Sequence, residues 1–512
     1  MSPLPILPLQ PDFVALATRG SRIPVWVEIL ADDETPVSAF HKLAPSGYGF
    51  LLESADRGSQ SGRYSFVGAS PEVLFQSRGN SVTITTPNSS RTFESADPFR
   101  ELENLLAHHK LAQVPDFQSG SGPRFSGGAV GYLSYDMVRF FEPSVGNPPP
   151  DALGLPESFF FIADTVLIFD HHTRRLRIVF TAAVENPESA PAAYKAACER
   201  IQSVLEKLGT KDHLPKLAVP LAPASPAPAT ANTSPDEYRQ IVSEVQEFIR
   251  AGDIFQIVPS QRFIADYPGD PLTLYRTLRD VNPSPYMFCL RFDDAFALVG
   301  SSPEVHVRLT DGLVEIRPIA GTKRRGASVA EDDANAAALL ADPKEAAEHL
   351  MLVDLARNDV GRIAEFGSVK VTDFRTIERY SHVMHIVSHV TGRLKPGLSG
   401  FDVMRATFPA GTVSGSPKVR AMQILNEKEK NKRGIYAGAV GYFGFDGNTD
   451  SCIALRTILL KDKKAYVQTG AGVVADSTPD GEHQECVNKA MGTLAAIARA
   501  NAANTPNIDN VR

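Results

Sequence analysis

The sequence has few cysteines, and none of them lies in a pattern that binds metal or builds a disulfide framework. Four cysteines occur among 512 residues, namely Cys198, Cys289, Cys452 and Cys486, without any Cys-x-x-Cys spacing. Wide, irregular spacing of this kind disfavours a disulfide scaffold and a zinc site. We therefore expect a protein of a reducing compartment, with a cytoplasmic location.

Long apolar runs and excess positive charge are missing as well. No segment approaches the ~20 apolar residues that cross a membrane, and the proline-broken residues 1–13 lack the basic and apolar regions of a signal peptide. The formal net charge is -7, and the short basic cluster at residues 323–325 does not make a polyanion-binding surface. We expect neither a membrane nor a nucleic acid as a partner.

Several catalytic signatures are also absent. The chain contains no GxSxG nucleophile elbow, no GxGxxG dinucleotide fingerprint and no HExxH zinc motif. None of the cysteines lies in the Gly-x-Cys-x-Gly-His setting of a glutamine amidotransferase. Covalent amidotransfer is therefore not expected from this chain.

The composition that remains is globular, with 43% hydrophobic and 22% charged residues. A segment rich in proline and alanine, residues 214–234, predicts a linker between an N-terminal region, residues 1–213, and a C-terminal region, residues 235–512. Strand-like runs such as Ser81–Thr86 alternate with helical stretches, which predicts a sheet with flanking helices. Ser234 is predicted to cap a helix directly after the linker.

One stretch of sequence occurs twice. Residues 128–136 (GAVGYLSYD) and 438–446 (GAVGYFGFD) share six of nine positions. Two unrelated glycine-rich strands are the plainer interpretation, but an ancient duplication is favoured. The two related halves would then form layers that pack against each other.

Two pairs of acidic residues are candidates for cation binding. At ~100° per residue, Glu345 and Glu348 share one helix face with two leucines and Asp359, and a second pair, Glu482 and Glu485, lies near the C-terminus. A solvated acidic face is the alternative. Leucines beside the first pair argue for burial, where like charges need a cation between them, and carboxylate ligands without clustered histidine or cysteine favour a hard ion.

Glycine-rich turns and a histidine-rich strand are further candidates. Residues 409–420 run into a helix and could present backbone N–H groups and Lys418 to a carboxylate, whereas residues 469–474 could bring bare backbone close to a ligand. Plain turns are the alternative. The strand-like residues 380–390 place His385 and His389 on one face and His382 on the other, so a three-histidine metal site is disfavoured.

Taken together, these segments resemble the chorismate-utilising enzymes. The resemblance is carried by residues 318–322 (PIAGT), 348–359 (EHLMLVDLARND) and 411–418 (GTVSGSPK), and by the segments that contain Gly470, Gly472, Glu482 and Glu485. Upstream, residues 51–54 (LLES), 64–68 (YSFVG) and 127–136 (GGAVGYLSYD) resemble the anthranilate synthase component I family. That family implies an α+β fold of two facing, orthogonally packed β-sheets with outer helices, a four-layer α/β/β/α sandwich.

The resemblance also implies a set of site residues and a cofactor. Mg²⁺ would be bound directly by Glu348 and Glu485 and through water by Glu345 and Glu482. Catalytic roles fall to Glu304, as the acid for the departing C4 hydroxyl, and to His385 and Thr412 in the aromatising step. The residues implied to bind chorismate are Gln256, Gly321, Thr322, Tyr436, Arg456, Gly470, Ala471, Gly472 and Lys489.

The implied reaction converts chorismate and ammonia to anthranilate and pyruvate, the first step of tryptophan biosynthesis. A separate glutamine amidotransferase subunit, component II, would supply the ammonia. Aminodeoxychorismate synthases carry a lysine where this chain has Ala320, and isochorismate and salicylate synthases carry one where it has Gln256. These sister enzymes, a synthase that releases aminodeoxyisochorismate, and a catalytically dead binding subunit are the alternatives.

Feedback inhibition by L-tryptophan is a further expectation from the resemblance. The expected regulatory site is assigned to the N-terminal region and includes residues of the C-terminal region, and ordinary core packing is the alternative for its apolar members. The residues implied to bind tryptophan are Ser54, Pro285, Tyr286, Met287, Tyr442 and Cys452.

Overall fold

Two large antiparallel sheets form the centre of the computed structural model. The structure describes residues 4–55, 60–109, 111–114, 117, 122–219, 224–380 and 383–504. The strands are β1 (Arg22–Leu30), β2 (Tyr48–Glu53), β3 (Tyr64–Ala69), β4 (Val73–Arg78), β5 (Ser81–Thr86), β6 (Ser89–Glu94), β7 (Gly128–Leu133), β8 (Ser158–Ala163), β9 (Thr165–Asp170), β10 (Arg175–Ala183), β11 (Thr230–Ala231), β12 (Gln256–Ile257), β13 (Ser260–Asp266), β14 (Tyr286–Phe292), β15 (Phe296–Ser302), β16 (Val305–Thr310), β17 (Leu313–Ile316), β18 (Ile319–Arg324), β19 (Lys370–Arg379), β20 (Val383–Arg393), β21 (Gly415–Ser416), β22 (Ala439–Gly444), β23 (Thr449–Ile453), β24 (Thr457–Lys461) and β25 (Lys464–Gly470). The helices are α1 (Gln10–Leu16), α2 (Pro36–Leu43), α3 (Pro98–Ala107), α4 (Val138–Phe141), α5 (Ala190–Leu208), α6 (Pro235–Arg250), α7 (Pro271–Val281), α8 (Val329–Ala341), α9 (Pro343–Ile363), α10 (Gly400–Thr407), α11 (Lys418–Lys428) and α12 (Pro479–Asn504).

Strands from both ends of the chain enter both sheets. Sheet A has the order β1-β10-β9-β3-β2-β14-β15-β24-β25-β13-β11, and sheet B has the order β18-β20-β17-β16-β23-β22-β7-β8-β4-β5-β6, with β19 paired to β20. Helices α2, α5, α7 and α12 pack on sheet A, and α3, α9 and α10 pack on sheet B. The mixed α+β class is confirmed. The crossing angle of the sheets stays a prediction, as does the division of the chain at residues 214–234.

Aromatic side chains fill the space between the two sheets. Phe161 of β8 lies 5.0 Å from Phe292 of β14, centroid to centroid, and also contacts Phe50 of β2. On the opposite face of sheet B, Phe443 stacks on Phe401 of α10 at 4.4 Å. Because strand side chains alternate between faces, sheet B presents one apolar face to sheet A and the other to helices.

The strand order supports the predicted duplication. In sheet A, the sequence β1-β10-β9-β3-β2 is matched by β13-β25-β24-β15-β14, and in sheet B, β7-β8-β4-β5-β6 is matched by β22-β23-β16-β17-β20. The expectation that the two copies form separate layers is wrong, because the repeated strands β7 and β22 pair side by side with Gly131 opposite Gly441. A Cβ atom at Gly131 would lie 1.9 Å from the Phe159 carbonyl oxygen of β8, so the close approach of β7 to its other neighbour, β8, requires glycine at this position.

The sequence correctly predicted where helix α6 begins. Ser234 caps α6, and its hydroxyl accepts a hydrogen bond from the Glu237 N–H in a reciprocal capping box. Gln256 lies in the two-residue strand β12, which pairs with β21. No helix in the described part of the chain is long and apolar enough to span a membrane.

Candidate active site

Helices α9 and α12 bring the two acidic pairs into one site. Asp342 caps α9, and its carboxylate accepts hydrogen bonds from the N–H groups of Lys344 and Glu345. The predicted stripe faces inward: Glu348 is partly buried, and Leu352 and Asp359 are buried. The leucine stripe therefore turns the first pair away from bulk solvent, as its spacing predicted.

The carboxylates of the two helices repel one another. Burial is the largest cause that raises the pKa of Glu345, Glu348 and Glu482, and the charge of Glu485 raises each of them further. Glu345 and Glu348 also lie close enough for the charge of Glu345 to raise the pKa of its neighbour. A divalent cation would relieve this repulsion, and an all-oxygen donor set suits a hard ion.

Lys489 pairs with Glu485, so a bound cation would compete with this lysine for the carboxylate. Lys489 Nζ lies 2.7 Å from a Glu485 carboxylate oxygen and donates a 3.1 Å hydrogen bond to the Gly470 carbonyl. Among the described residues, no three histidine, cysteine or acidic side chains already converge in a metal-binding arrangement. The residues fit a hard cation in charge and donor chemistry, and Glu485 would exchange its lysine partner for it.

Backbone without side chains forms one wall of the site. A Cβ atom at Gly470 would meet the Pro259 carbonyl at 2.6 Å and the Tyr436 hydroxyl at 2.8 Å, and one at Gly472 would meet Gln256 Nε2 at 3.0 Å. Ala471 between them is fully buried. The buried Gln256 Oε1 has no hydrogen-bond partner among the described residues. This wall therefore combines close backbone approach with an unsatisfied amide.

Glu304 is the most perturbed acid of the site. It follows β15, and burial raises the pKa of its carboxyl to about 7, against the opposing effects of Thr412, Lys489 and Arg456. The Thr412 hydroxyl lies against this carboxyl but makes no hydrogen bond of normal geometry with a described residue. A carboxyl with this pKa is present in substantial part as the neutral acid near neutral pH.

Arg456 supplies a cation without a fixed partner. Burial lowers the pKa of its guanidinium, and the Glu304 carboxylate is the opposing influence. No hydrogen bond or ion pair joins this guanidinium to a side chain within the described ranges. An anionic ligand group would provide the partner that a partly buried cation needs.

His385 and the PIAGT segment form the opposite wall. His385 Nδ1 lies 2.9 Å from the Gly321 carbonyl and 3.1 Å from the Thr322 hydroxyl. Gly321 has φ +66°, and a Cβ there would lie 2.9 Å from a Glu345 carboxylate oxygen, so glycine lets α9 approach the strand. Burial lowers the pKa of His385. Its ring is therefore neutral near pH 7, with Nδ1–H donating to Gly321 and Nε2 left as a proton acceptor.

Some sequence candidates lie elsewhere or serve the fold. Lys418 does not face an open anion site, because its ammonium donates to both Asp359 oxygens at 3.0 and 2.9 Å. His389 pairs with Glu315 at 2.9 Å, and His382 lies outside the described residues. Both cases reflect partners far away in sequence, which local patterns do not reveal.

All six residues expected to bind tryptophan line a second cavity of about 300 Å³. It lies between the sheets, and its walls also include Arg124, Arg308 and Asp450, which the sequence analysis missed. Arg308 donates to Asp450 at 2.9 Å and to the Tyr286 hydroxyl at 3.0 Å. The cavity is thus apolar with charged groups on its wall, which suits a small amphipathic ligand.

A sequence motif that occurs in both repeats marks the position of Glu304. Residues 299–305 (VGSSPEV) are matched by residues 67–73 (VGASPEV) at the corresponding strands of the other repeat. Six of seven positions agree, so Glu72 is the counterpart of Glu304. Glu72 is exposed, however, whereas Glu304 is partly buried, so only the second copy shields its carboxyl.

Comparison with known proteins places this site in a family. The model of the chorismate binding enzyme family matches residues 84–495. The chain therefore belongs to the chorismate-binding enzymes. Its fold also resembles that of a menaquinone-specific isochorismate synthase from Escherichia coli, with a TM-score of 0.69 at 17% identity over 95% of this chain and 98% of that one.

Within the family, its similar relatives include several proteins named anthranilate synthase component 1. That of Acetivibrio thermocellus is 44% identical over 481 residues, which cover 93% of this chain and 96% of the relative. That of Pseudomonas aeruginosa is 44% identical over 96% of this chain and 98% of the relative. The crystal structure of anthranilate synthase component I from Streptococcus pneumoniae superimposes with a TM-score of 0.74 and 35% identity, covering 91% of this chain and 99% of that one.

Charge repulsion at the acidic pairs predicts that Glu348→Gln stabilises the metal-free protein. Because the pKa of Glu348 is raised above the usual 4.5, the folded state binds more protons than the unfolded state between the two values. Its charge therefore destabilises the fold increasingly as pH rises through that window. In EDTA at pH 7.5, we expect a higher Tm for Glu348→Gln than for the wild type, and little change at pH 4. Asp354→Asn, an exposed change on the same helix, is the control, and a lower Tm for Glu348→Gln in EDTA would contradict the argument.

Proposed function

We propose that this chain is the synthase subunit of an anthranilate synthase and converts chorismate and ammonia to anthranilate and pyruvate. The observation that carries the proposal is Glu304, a shielded carboxyl with its pKa raised to about 7, beside the unpaired Arg456 and opposite the acidic helices. Chorismate is a dicarboxylate with a hydroxyl group that must leave. Cationic side chains and a cation held by the acidic cluster suit its carboxylates, and a neutral acid suits the leaving hydroxyl. The similarity to component 1 relatives over nearly the whole chain supports the same reaction.

The proposed cofactor is Mg²⁺, held by Glu348 and Glu485 directly and by Glu345 and Glu482 through water. When bound, Mg²⁺ would neutralise these carboxylates and stabilise charge on the substrate's ring carboxylate. Arg456 and Lys489 would bind carboxylate oxygens, and the glycine wall at Gly470 would allow the substrate close to the backbone.

In the proposed reaction, Glu304 and His385 each transfer one proton, and Thr412 orients the reacting groups. Glu304 gives its proton to the C4 hydroxyl, which leaves as water while ammonia bonds to C2, and the new ammonium group loses a proton to solvent. In the second step, His385 Nε2 accepts the proton from C2 and the bond between C3 and the enolpyruvyl oxygen breaks. The released enolate takes up a proton from water at its methylene carbon and leaves as pyruvate. Thr412, against Glu304, orients the reacting groups.

The choice of ammonia as the nucleophile rests on two residues. Ala320 on β18 is buried and offers no amine that could attack C2. Gln256 supplies an amide where a lysine would be needed to activate water. Direct attack by ammonia is what the side chains support, in preference to the aminodeoxychorismate and isochorismate alternatives.

A separate amidotransferase subunit is proposed as the ammonia source. Burial raises the pKa of Cys289 and of Cys452 to about 12, and it also raises the pKa of Cys198 and Cys486. Thiols in these states are poor nucleophiles, so none of them suits glutamine hydrolysis. Free thiols also fit the proposed cytoplasmic location.

The experiment that tests the proposal is an incubation of the purified chain with chorismate, MgCl₂ and an ammonium salt. We expect anthranilate fluorescence and equimolar pyruvate, with no turnover when glutamine replaces ammonium or when EDTA is added. Isochorismate or 4-amino-4-deoxychorismate as the sole product would overturn the assignment.

Glu485→Ala should abolish Mg²⁺-dependent turnover while the protein remains folded, as judged by circular dichroism.

Glu304→Gln should lower kcat by about 10²–10⁴-fold, because an amide has no acidic proton to give. With the wild type, kcat should fall as pH rises through about 7, the pKa of the Glu304 carboxyl, since the acid form is lost there. Glu72→Gln is the matched control, as it changes the exposed counterpart in the other repeat. Equal activity of the wild type and Glu304→Gln would refute the acid role.

Tryptophan is proposed to bind in the 300 Å³ cavity and to inhibit turnover. Saturating L-tryptophan should suppress anthranilate formation, whereas L-alanine, which lacks the ring, should not. Ser54→Phe, at the cavity wall, should raise the half-inhibitory tryptophan concentration at least about tenfold by steric exclusion, with activity in the absence of tryptophan unchanged. Turnover that is indifferent to tryptophan would rule out this regulation.

A further inference from the structure

A small cavity of about 30 Å³ lies next to the proposed acid. Glu304, Thr412, His306, Asp359 and Thr407 contribute to its lining, and the remaining lining residues are mostly apolar. About 10–15 Å³ of probe-occupied volume is enough for one water molecule, provided that two to four polar groups can bind it. The cavity therefore has room for one ordered water.

An irregularity in β16 is found at His306. Val305 pairs with Cys452 and Val307 pairs with Ser451, so His306 is the extra residue of a β-bulge. Bulges often redirect a side chain and recur next to active sites. Here the bulged residue is a histidine that lines the cavity and is 3% exposed.

Both ring nitrogens of His306 make only long contacts with their polar neighbours. Its ring nitrogens lie 3.4 Å from the Ser451 hydroxyl and 3.5 Å from the Thr407 hydroxyl. Both hydroxyls are already within reach of backbone carbonyls, Ser451 with Val307 at 3.2 Å and Thr407 with Val403 at 3.0 Å. Burial lowers the pKa of His306 to about 3, so the neutral ring has a single N–H and cannot donate to both. The ring nitrogen that acts as the acceptor therefore has only a long contact to a hydroxyl, and no donor at a normal hydrogen-bond distance in the part of the chain that the structure describes.

The nearby charged groups do not supply that donor. Lys418 Nζ donates to both Asp359 oxygens and to the Thr407 carbonyl at 3.1 Å, which uses its three hydrogens. Arg456 and Lys489 act on Glu304 by charge. The Thr412 hydroxyl, by contrast, has no hydrogen-bond partner of normal geometry among the described residues. A buried imidazole nitrogen with only a long contact and a buried hydroxyl without a described partner of normal geometry thus line one cavity.

We propose that the cavity binds one water molecule, held by His306 and Thr412, and that this water positions the Glu304 carboxyl for proton transfer. The water donates one hydrogen to the acceptor nitrogen of His306 and the other to a Glu304 oxygen, and it accepts the Thr412 hydroxyl hydrogen. Three partners satisfy a buried water and leave none of these groups unpaired.

The proposed water acts on Glu304 in both of its protonation states. With the neutral acid, it occupies the carbonyl oxygen and leaves the O–H directed at the substrate. When that proton has gone to the departing hydroxyl, the same hydrogen bond stabilises the carboxylate that remains. His306 is therefore a positioning residue, and its role rests on the proposed function of Glu304.

The first repeat has a leucine at the position that corresponds to His306. When the two VGxSPEV segments are aligned, Leu74 on the equivalent strand β4 corresponds to His306 on β16. His306→Leu thus introduces the residue that the first copy already uses. His306→Asn keeps a polar side chain, and Ala356→Val narrows the cavity from α9 without touching His306.

Three measurements on the full chain test the proposal. A crystal structure of the metal-loaded protein at high resolution should show one water between His306 and Glu304, absent in His306→Leu and Ala356→Val. Both variants should lose about tenfold in kcat with KM for chorismate nearly unchanged, and the alkaline limb of kcat should move to higher pH, because the carboxylate has lost a donor. His306→Asn should recover most of the rate.

The outcomes separate this proposal from the proposed function. If the wild type turns chorismate over but its cavity is dry, or if both variants keep the wild-type rate and pH profile, the water site is refuted and the function stands. A loss of rate with an unshifted pH limb would assign His306 a merely structural role and also overturn the proposal. If the wild type leaves chorismate untouched, the function fails, and the crystal structure still decides the water site.

Discussion

Repulsion between carboxylates on two helices is the constraint on which the site depends. Glu345 and Glu348 on α9 face Glu482 and Glu485 on α12, and burial, together with the charges of neighbouring carboxylates, raises the pKa of Glu345, Glu348 and Glu482. A fold without a ligand gains nothing from this arrangement. Holding the charges together requires rigid supports. Both helices pack along large sheets, and these contacts fix the positions of the helices.

Those supports are the two copies of one strand arrangement. Each copy contributes five matching strands to each sheet, and the copies meet where β2 pairs with β14 and where β7 pairs with β22. The second copy carries α9 and α12 and shields Glu304, whereas the first copy leaves Glu72 exposed. Both copies therefore share the framework, and the proposed chemistry belongs to one of them.

Sequence patterns predicted what is local and missed what is not. Asp342 before Pro343 announces the start of α9, and the leucine spacing gives its buried face, since both depend on neighbours within a turn or two. Lys418 was assigned to an anion site because its partner, Asp359, is 59 residues away and only the fold brings them together. The pairing of β7 with β22 was likewise mistaken for stacked layers, since a repeat reveals kinship but not whether its copies lie side by side. The separate acidic pairs became one site through family resemblance, and spacing alone could not have joined them.

The seam between the two copies contains the cavity that is proposed to bind tryptophan. The 300 Å³ cavity takes wall residues such as Ser54 and Phe66 from the first copy and Tyr286 and Tyr442 from the second. It is built like an effector pocket at the interface of a symmetric dimer, except that both protomers are fused in one polypeptide. Each wall can therefore change by mutation without a matching change in the other, a freedom that identical subunits do not have. A fused dimer of this kind can evolve an asymmetric effector site while the active half keeps its geometry.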